Sequence, residues 1–166
     1  MKRSFTHLSR LARDSSGTAL VEMSIILPLA IALMAGVVDF GFALSAQATA
    51  AKSVREAARY LASLPASSCA SAWATANAKN LAVSGNLTGT PLLISSWNPL
   101  GATPTGTITA TCTNPTNSAA CAVPTDQCIA IVSGTVPYQS IIIDSALPIN
   151  STFTLSVGHE EPQVGN

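Results

Sequence analysis

The longest apolar stretch of the chain lies near its N-terminus. Residues 18–38 contain a single charged residue, Glu22, and are otherwise dominated by aliphatic side chains. With a rise of about 1.5 Å per residue, such a helix is roughly 30 Å long, which matches the hydrocarbon core of a bilayer. The pattern therefore predicts a membrane-spanning helix. Pro28 removes one helical hydrogen bond and should kink this helix inside the membrane.

The helical pattern continues beyond the apolar stretch. Residues 40–64 lack proline and are rich in alanine and other strong helix formers. Their apolar residues recur at spacings of three, four or seven and predict one packing face: Phe40, Leu44, Ala51, Val54, Ala58 and Leu61. Lys52 and Glu56 form an opposite-charge pair one turn apart. Because Pro65 ends the run, residues 18–64 are predicted to form one helix of roughly 70 Å.

The C-terminal part has a different pattern. Residues 66–83 are compatible with a second, shorter helix that turns Trp73 and Leu81 inward. Beyond them, short runs rich in β-branched residues alternate with turn-forming clusters and predict strands at 92–96, 106–112, 128–136 and 152–157. We therefore expect an α+β fold in which a small antiparallel sheet packs on the distal half of the long helix.

Charge is distributed unevenly along the chain. Residues 1–17 carry a net charge of +3, whereas the rest carries −3 and has no Lys or Arg after Lys79. A basic flank predicts that the N-terminus stays in the cytoplasm and that the C-terminal part lies outside. The lack of clustered Lys and Arg in the C-terminal half argues against a nucleic-acid partner.

Four cysteines lie in the C-terminal part, namely Cys69, Cys112, Cys121 and Cys128. An even number of cysteines in a small exported domain predicts two disulfides, for which three pairings are open. A zinc site is disfavoured because the spacings contain no C-x-x-C pair.

One short segment combines a glycine, the start of the predicted helix and a carboxylate within the apolar stretch. The basic leader ends in Gly17, and Glu22 follows five residues later as the only charge of the apolar stretch. A carboxylate in a membrane span is costly unless it has a partner. Cleavage after Gly17 would give Thr18 a free α-amino group, and Glu22 of a neighbouring chain could pair with it in a helix bundle. Such a pair fixes the axial register between subunits, and the helix start also favours the negative charge.

Three segments carry a resemblance to a known family: residues 17–28, 36–41 and 50–59. A small residue and Val-Glu precede an apolar stretch with a proline, an acidic-x-glycine follows, and an Ala/Arg-rich helix comes next. The chain resembles a TadE-like minor pilin (pseudopilin) of the tight-adherence, or Flp-type, pilus system, strongly over residues 15–62 and loosely beyond. Met23 stands where the major pilin usually has an aromatic residue, and the exported part is much longer, which favours the minor class.

The resemblance implies a maturation step and a location. A prepilin peptidase would cut between Gly17 and Thr18 and remove the cytoplasmic leader, residues 1–17. The mature chain would be a single-pass protein of the bacterial inner membrane, with the pilin-like helix at 18–64 and a periplasmic, disulfide-stapled α+β domain at 65–166. Its expected partners are the prepilin peptidase, other pilins and pseudopilins, the inner-membrane assembly platform and the lipid bilayer, and no cofactor is implied. Whether it enters the extracellular fibre or stays at its base is left open.

Other interpretations of the N-terminal region remain. A secretory signal peptide would fit the basic and apolar regions, and Ala46-Gln47-Ala48 matches an A-x-A site, although it sits within the helical pattern. A membrane-tethered periplasmic adhesin or sensor module would keep its leader. A secreted, disulfide-stapled enzyme would be released by signal peptidase.

Catalysis has little support in the sequence. The histidines are His7, in the leader, and His159, beside Glu160 and Glu161 near the C-terminus. The latter group suggests a frayed tail more than a metal site. Catalytic serine triads, phosphate-binding glycine loops and H-E-x-x-H motifs are missing from the sequence, so that we expect neither an enzyme nor a metal site.

Overall fold

The computed structural model describes residues 15–101, 105–122, 127–140, 142 and 152–164, with residues 15–18 described in their backbone only. The helices and strands of this part are α1 (Ser15–Ala62), α2 (Ala66–Cys69), α3 (Ala72–Ser84), β1 (Thr107–Thr113), β2 (Ile129–Gln139) and β3 (Thr152–Pro162). One long apolar helix and a three-stranded antiparallel sheet confirm the predicted α+β class.

Helix α1 changes its character at Asp39, the first buried residue along it. The buried positions then follow helical spacing: Asp39, Ala50, Ser53, Val54, Ala57, Ala58, Leu61 and Ala62. The predicted packing face is confirmed at Val54, Ala58 and Leu61 and wrong at Phe40 and Leu44, which are 65% and 50% exposed. The buried side chains of α1 are mostly small, and a helix lined by alanine can approach its neighbours closely.

Helix α3 packs on α1 through alanines. Ala74, Ala78 and Ala82 recur every fourth residue and are fully buried. The predicted helix 66–83 is in fact two helices, since the Ser71 hydroxyl accepts a hydrogen bond from the Ala74 N–H and so starts a new one. Trp73 lies off the alanine face and is 53% exposed, so its predicted inward orientation is wrong.

The sheet has the order β1-β2-β3 and separates an inner apolar face from an outer polar face. Alternate residues point inward, among them Ile108, Ala110, Cys112, Ala130, Val132 and Val136. On the outer face the hydroxyls of Thr107 and Thr135 lie 2.9 Å apart, and those of Thr109 and Ser133 lie 2.8 Å apart. This is the division expected of an antiparallel sheet that is covered on one side.

The predicted strand 92–96 is wrong, since this segment is irregular. Its polar groups are used elsewhere: the Leu93 N–H donates to the Val83 carbonyl, and the Ser96 hydroxyl donates to the Pro137 carbonyl. The segment thereby leads into Trp97, which is fully buried against the sheet.

The C-terminal end of the described chain donates hydrogen bonds to carbonyls at and just beyond the end of α1. The Val164 N–H donates to the Ala62 carbonyl at 3.1 Å, and the Gln163 side-chain amide donates to the Leu64 carbonyl. Carbonyls at a helix end lack partners within the helix, so the two residues that follow β3 supply these donors. The predicted frayed tail is wrong, because His159 lies in β3 and its ring contacts Glu161, on the same face, at 2.9 Å.

Candidate functional site at the apolar helix and its junction with the sheet

The first half of α1 is apolar on every side. Its large exposed side chains are Leu20, Val21, Met23, Ile25, Ile26, Leu27, Leu29, Ile31, Leu33, Met34, Val37 and Val38. Soluble monomers rarely expose apolar patches larger than a few hundred Å². Within the part of the chain that the structure describes, one helix, Ala19–Ala62, is long and apolar enough to cross a membrane. The chain thus has an N-terminal helix suited to a single-pass membrane protein.

Glu22 lies on this apolar surface and is exposed. It is the only charged residue of α1 before Asp39. The side chains around it, such as Ile25 and Ile26, are 68% and 56% exposed and apolar. Glu22 therefore faces whatever surrounds the helix, be it lipid or another helix, and not the globular domain.

Gly17 and Thr18 lie in the first turn of α1, which begins at Ser15, three residues before the predicted start. Nothing in the described structure tests cleavage between them, and this stays a prediction. Pro28 lies inside α1, and the helix is continuous through it. Since proline has no N–H, the Ser24 carbonyl loses its usual helical donor. The kink remains a prediction.

The Asp39 carboxylate joins α1 to the end of the sheet. Asp39 is 4% exposed. The Ser140 hydroxyl donates to Oδ2 at 2.5 Å, and the Ile142 N–H donates to Oδ1 at 3.2 Å. Tyr138, in β2, donates its hydroxyl to the Asp39 backbone carbonyl at 3.1 Å. Hydrogen bonds to a charged carboxylate are stronger than neutral ones, so that this cluster fixes the sheet at one height along the helix.

The Tyr138 hydroxyl keeps its proton over a wide pH range. Burial and, secondarily, the negative charge of Asp39 raise the pKa of Tyr138 above its usual value. The phenol therefore remains a hydrogen-bond donor to the helix backbone.

An apolar groove of about 460 Å³ adjoins this junction. The α1 residues Gly36, Phe40 and Ala43 line one side, and Phe153 and Leu155 of β3 line the other. Phe40 and Phe153 are 65% and 56% exposed. The apolar surface of α1 thus continues, past Asp39, onto the nearest end of the sheet.

The four predicted disulfide cysteines differ in their bonding. Cys121 and Cys128 form a disulfide, whereas Cys69 and Cys112 carry buried thiols. One disulfide is therefore seen where the sequence predicted two. The bond joins Cys121, in the connection between β1 and β2, to the residue that directly precedes β2. Burial, together with hydrogen bonding to Cys69, raises the pKa of the Cys112 thiol.

A comparison with protein families finds a match in the first part of the chain. The family model described as TadE-like protein matches residues 17–59 and confirms the resemblance to TadE-like proteins of the tight-adherence system over that segment. The matched segment includes Gly17, Glu22 and Asp39 and ends before the small domain. No curated protein and no solved structure matches the chain.

The functional role of Glu22 stays a prediction from the sequence, and the sequence does not indicate the junction at Asp39. Asp39 belongs to the acidic-x-glycine pattern, and its partner Ser140 lies 101 residues further along the chain. The available signal was the position of an acidic residue directly after an apolar stretch of membrane-spanning length.

Proposed function

We propose that the chain is a minor pilin (pseudopilin) with a structural role in the assembly of a tight-adherence type IV pilus. A prepilin peptidase would first cut it between Gly17 and Thr18. The observation that carries the proposal is the exposed apolar half of α1 with Glu22 as its sole charge, within the segment that matches TadE-like proteins.

Cleavage would create the partner that Glu22 needs. The new α-amino group of Thr18 carries a positive charge, one helical turn from the Glu22 position. In a bundle of such helices, the amino group of one chain pairs with Glu22 of its neighbour. Both charges are then satisfied in apolar surroundings, and the axial offset between neighbouring helices is fixed.

The first turn of α1 is suited to opening for a peptidase. Gly17 costs about 1 kcal/mol relative to alanine within a helix, and the first turn has no acidic residue to interact with the helix dipole. The N–H groups of a first turn also lack helical acceptors. Local unwinding around the Gly17–Thr18 bond is therefore inexpensive compared with unwinding the middle of α1.

Charge and the disulfide support the proposed orientation. The +3 charge of residues 1–17 favours a cytoplasmic N-terminus, and the globular domain would then lie in the periplasm. The Cys121–Cys128 disulfide suits that oxidising compartment. Other pilins, pseudopilins and the inner-membrane assembly platform would act on α1, and the Asp39 junction would make the globular domain follow the helix as one unit.

A complementation experiment tests the proposal. The gene is deleted in its natural host, and surface pili are counted by electron microscopy after expression of wild type, Glu22→Gln or Glu56→Gln. Glu56 is a matched control because it is an exposed carboxylate on the same helix, outside the apolar half. We expect wild type and Glu56→Gln to restore pili and Glu22→Gln to fail at equal protein level.

Two results would contradict the proposal. Undiminished pili in the deletion strain would remove the role in assembly. Full activity of Glu22→Gln would show that the carboxylate is not needed for pairing. A chain that keeps residues 1–17 and has no effect on pili would instead behave as a membrane-tethered periplasmic adhesin or sensor module.

A further inference from the structure

All four cysteines lie at the same end of the sheet. Cys112 is the penultimate residue of β1, and Cys128 immediately precedes β2. The Cys121 N–H donates to the Cys112 carbonyl at 3.3 Å. Cys69 is the last residue of α2, and this short helix contacts β1.

The two thiols that are left share one buried site. Cys69 and Cys112 are 0% and 2% exposed and belong to the same hydrophobic core cluster. Cys69 lies on α2, which contacts β1, and burial and the neighbouring Cys69 thiol together raise the pKa of the Cys112 thiol. Two buried cysteines can serve as small apolar residues, but neighbouring cysteines on two different elements also meet the first requirement for a cross-link.

We propose that Cys69 and Cys112 form a second disulfide, which joins α2 to β1 in the exported domain. The proposal rests on the proposed function in one respect, namely that the domain reaches an oxidising compartment. Since Cys121 and Cys128 already form a disulfide, Cys69 and Cys112 are the remaining pair. Of the three pairings open from the sequence, the structure therefore selects one.

The chemistry of the step is a thiol–disulfide exchange. The Cys69 and Cys112 thiols lose two protons and two electrons as their S–S bond forms. The disulfide of an exported thiol oxidase, or oxidised glutathione in vitro, accepts them and becomes two thiols. One cysteine first forms a mixed disulfide with this oxidant, and the other cysteine then displaces it.

The exchange belongs to folding and not to the finished domain. A thiolate is the attacking species, and burial disfavours the thiolate of Cys112 in the folded chain. An oxidant also cannot reach side chains that are fully enclosed. We therefore expect the bond to form before α2 closes over the sheet, and thereafter to resist reduction unless the domain unfolds.

The bond would attach the short helix α2 to the sheet. Helix α2 has only four residues and no side-chain hydrogen bond at its N-terminal cap. It connects the end of α1 to the start of α3, so its position determines how the two longer helices meet. A link to β1 attaches this connection directly to the sheet.

The distribution of basic residues provides a direct assay. Trypsin cuts after Arg59 and Lys79, and no Lys or Arg follows. Cys69 is then alone on peptide 60–79, and the other three cysteines are on peptide 80–166. The full chain is isolated from membranes, alkylated in denaturant to block free thiols, and digested without reductant. We expect the two peptides to be linked and to separate on reduction; separate peptides, each with one alkylated cysteine, both here and after the refolding described below, would overturn the proposal.

Two variants identify the partner of Cys69. Cys112→Ser should release peptide 60–79, whereas the double variant Cys121→Ser, Cys128→Ser should leave it linked. Persistent linkage in Cys112→Ser would show that Cys69 pairs with Cys121 or Cys128, and would overturn the pairing. As a readout that does not depend on the yield of the double variant, the linked peptide from wild type is also fragmented directly to locate the bond.

A refolding experiment separates this proposal from the proposed function. The full chain is reduced, unfolded, and refolded in detergent with reduced and oxidised glutathione. We expect the same linked peptides. Linkage after refolding but not in protein from cells would uphold the pairing and contradict the exported location, whereas no linkage in either sample would overturn the pairing itself.

Discussion

Removing the Asp39 carboxylate should loosen the globular domain from the helix. Asp39→Ala takes away the acceptor of the hydrogen bonds from the Ser140 hydroxyl and the Ile142 N–H. Each hydrogen bond to a charged group contributes about 1.5–3 kcal/mol. We expect Asp39→Ala to lower the free energy of unfolding by about 3 kcal/mol, and Ser140→Ala to lower it by about half as much. Because both changes remove the same contact, their effects should not add, and the coupling should be about 1 kcal/mol or more.

The assay is urea unfolding of the full chain in detergent micelles, followed by tryptophan fluorescence. Trp97 is fully buried against the sheet and reports on the domain, whereas the exposed Trp73 is replaced by Phe in every protein compared. Glu56→Ala is the control, since its exposed pair with Lys52 should contribute about 0.5 kcal/mol or less. A loss below about 0.5 kcal/mol for Asp39→Ala, or full additivity with Ser140→Ala, would refute the junction as described.

Three further comparisons test the packing and the titration of the small domain. Gly134→Ala should destabilise by about 2 kcal/mol in the same assay, because a Cβ there would meet the β1 backbone and the Trp97 ring; Gly158→Ala, with only an ordinary contact at 3.5 Å, should cost much less. Ala78→Leu should cost about 1–3 kcal/mol through overpacking between α1 and α3, whereas the exposed Ala76→Leu should be nearly neutral, and equal melting temperatures would contradict this. Since the pKa of Tyr138 is raised, the protonated phenol stabilises the fold fully below its usual pKa of 10.0, and this contribution is lost as pH rises toward the folded value. Tyr138→Phe should therefore lose less stability than wild type above that pH; parallel pH profiles would contradict it.

The sequence allowed the long helix and three strands to be predicted because each has a clear period. The packing face of α1 was harder to predict, since apolar side chains that meet lipid and those that meet a core have the same hydrophobicity. Phe40 and Leu44 were therefore assigned inward, although alanines and Asp39 make the contact. The 92–96 run had strand-like composition, but a strand also needs a partner, and its polar groups bond to Val83 and Pro137 instead.

Local motifs were accessible from the sequence and long-range pairs were not. Gly17, Thr18 and Glu22 form a motif within six residues, so that spacing alone suggests their chemistry. The partners of Asp39, by contrast, lie about a hundred residues away and depend on how β2 ends against α1. Cysteine pairing likewise depends on the sheet register, which no spacing in the sequence specifies.

The proposed function depends above all on maturation as a pilin with retention in the membrane. The most direct measurement is the intact mass and N-terminal sequence of the protein extracted from membranes, with and without an active prepilin peptidase. We expect a membrane-retained product that begins at Thr18 only when the peptidase is active, and we expect Gly17→Leu to abolish this product. A mature N-terminus at Met1, or near Thr49 in a soluble product, would contradict it.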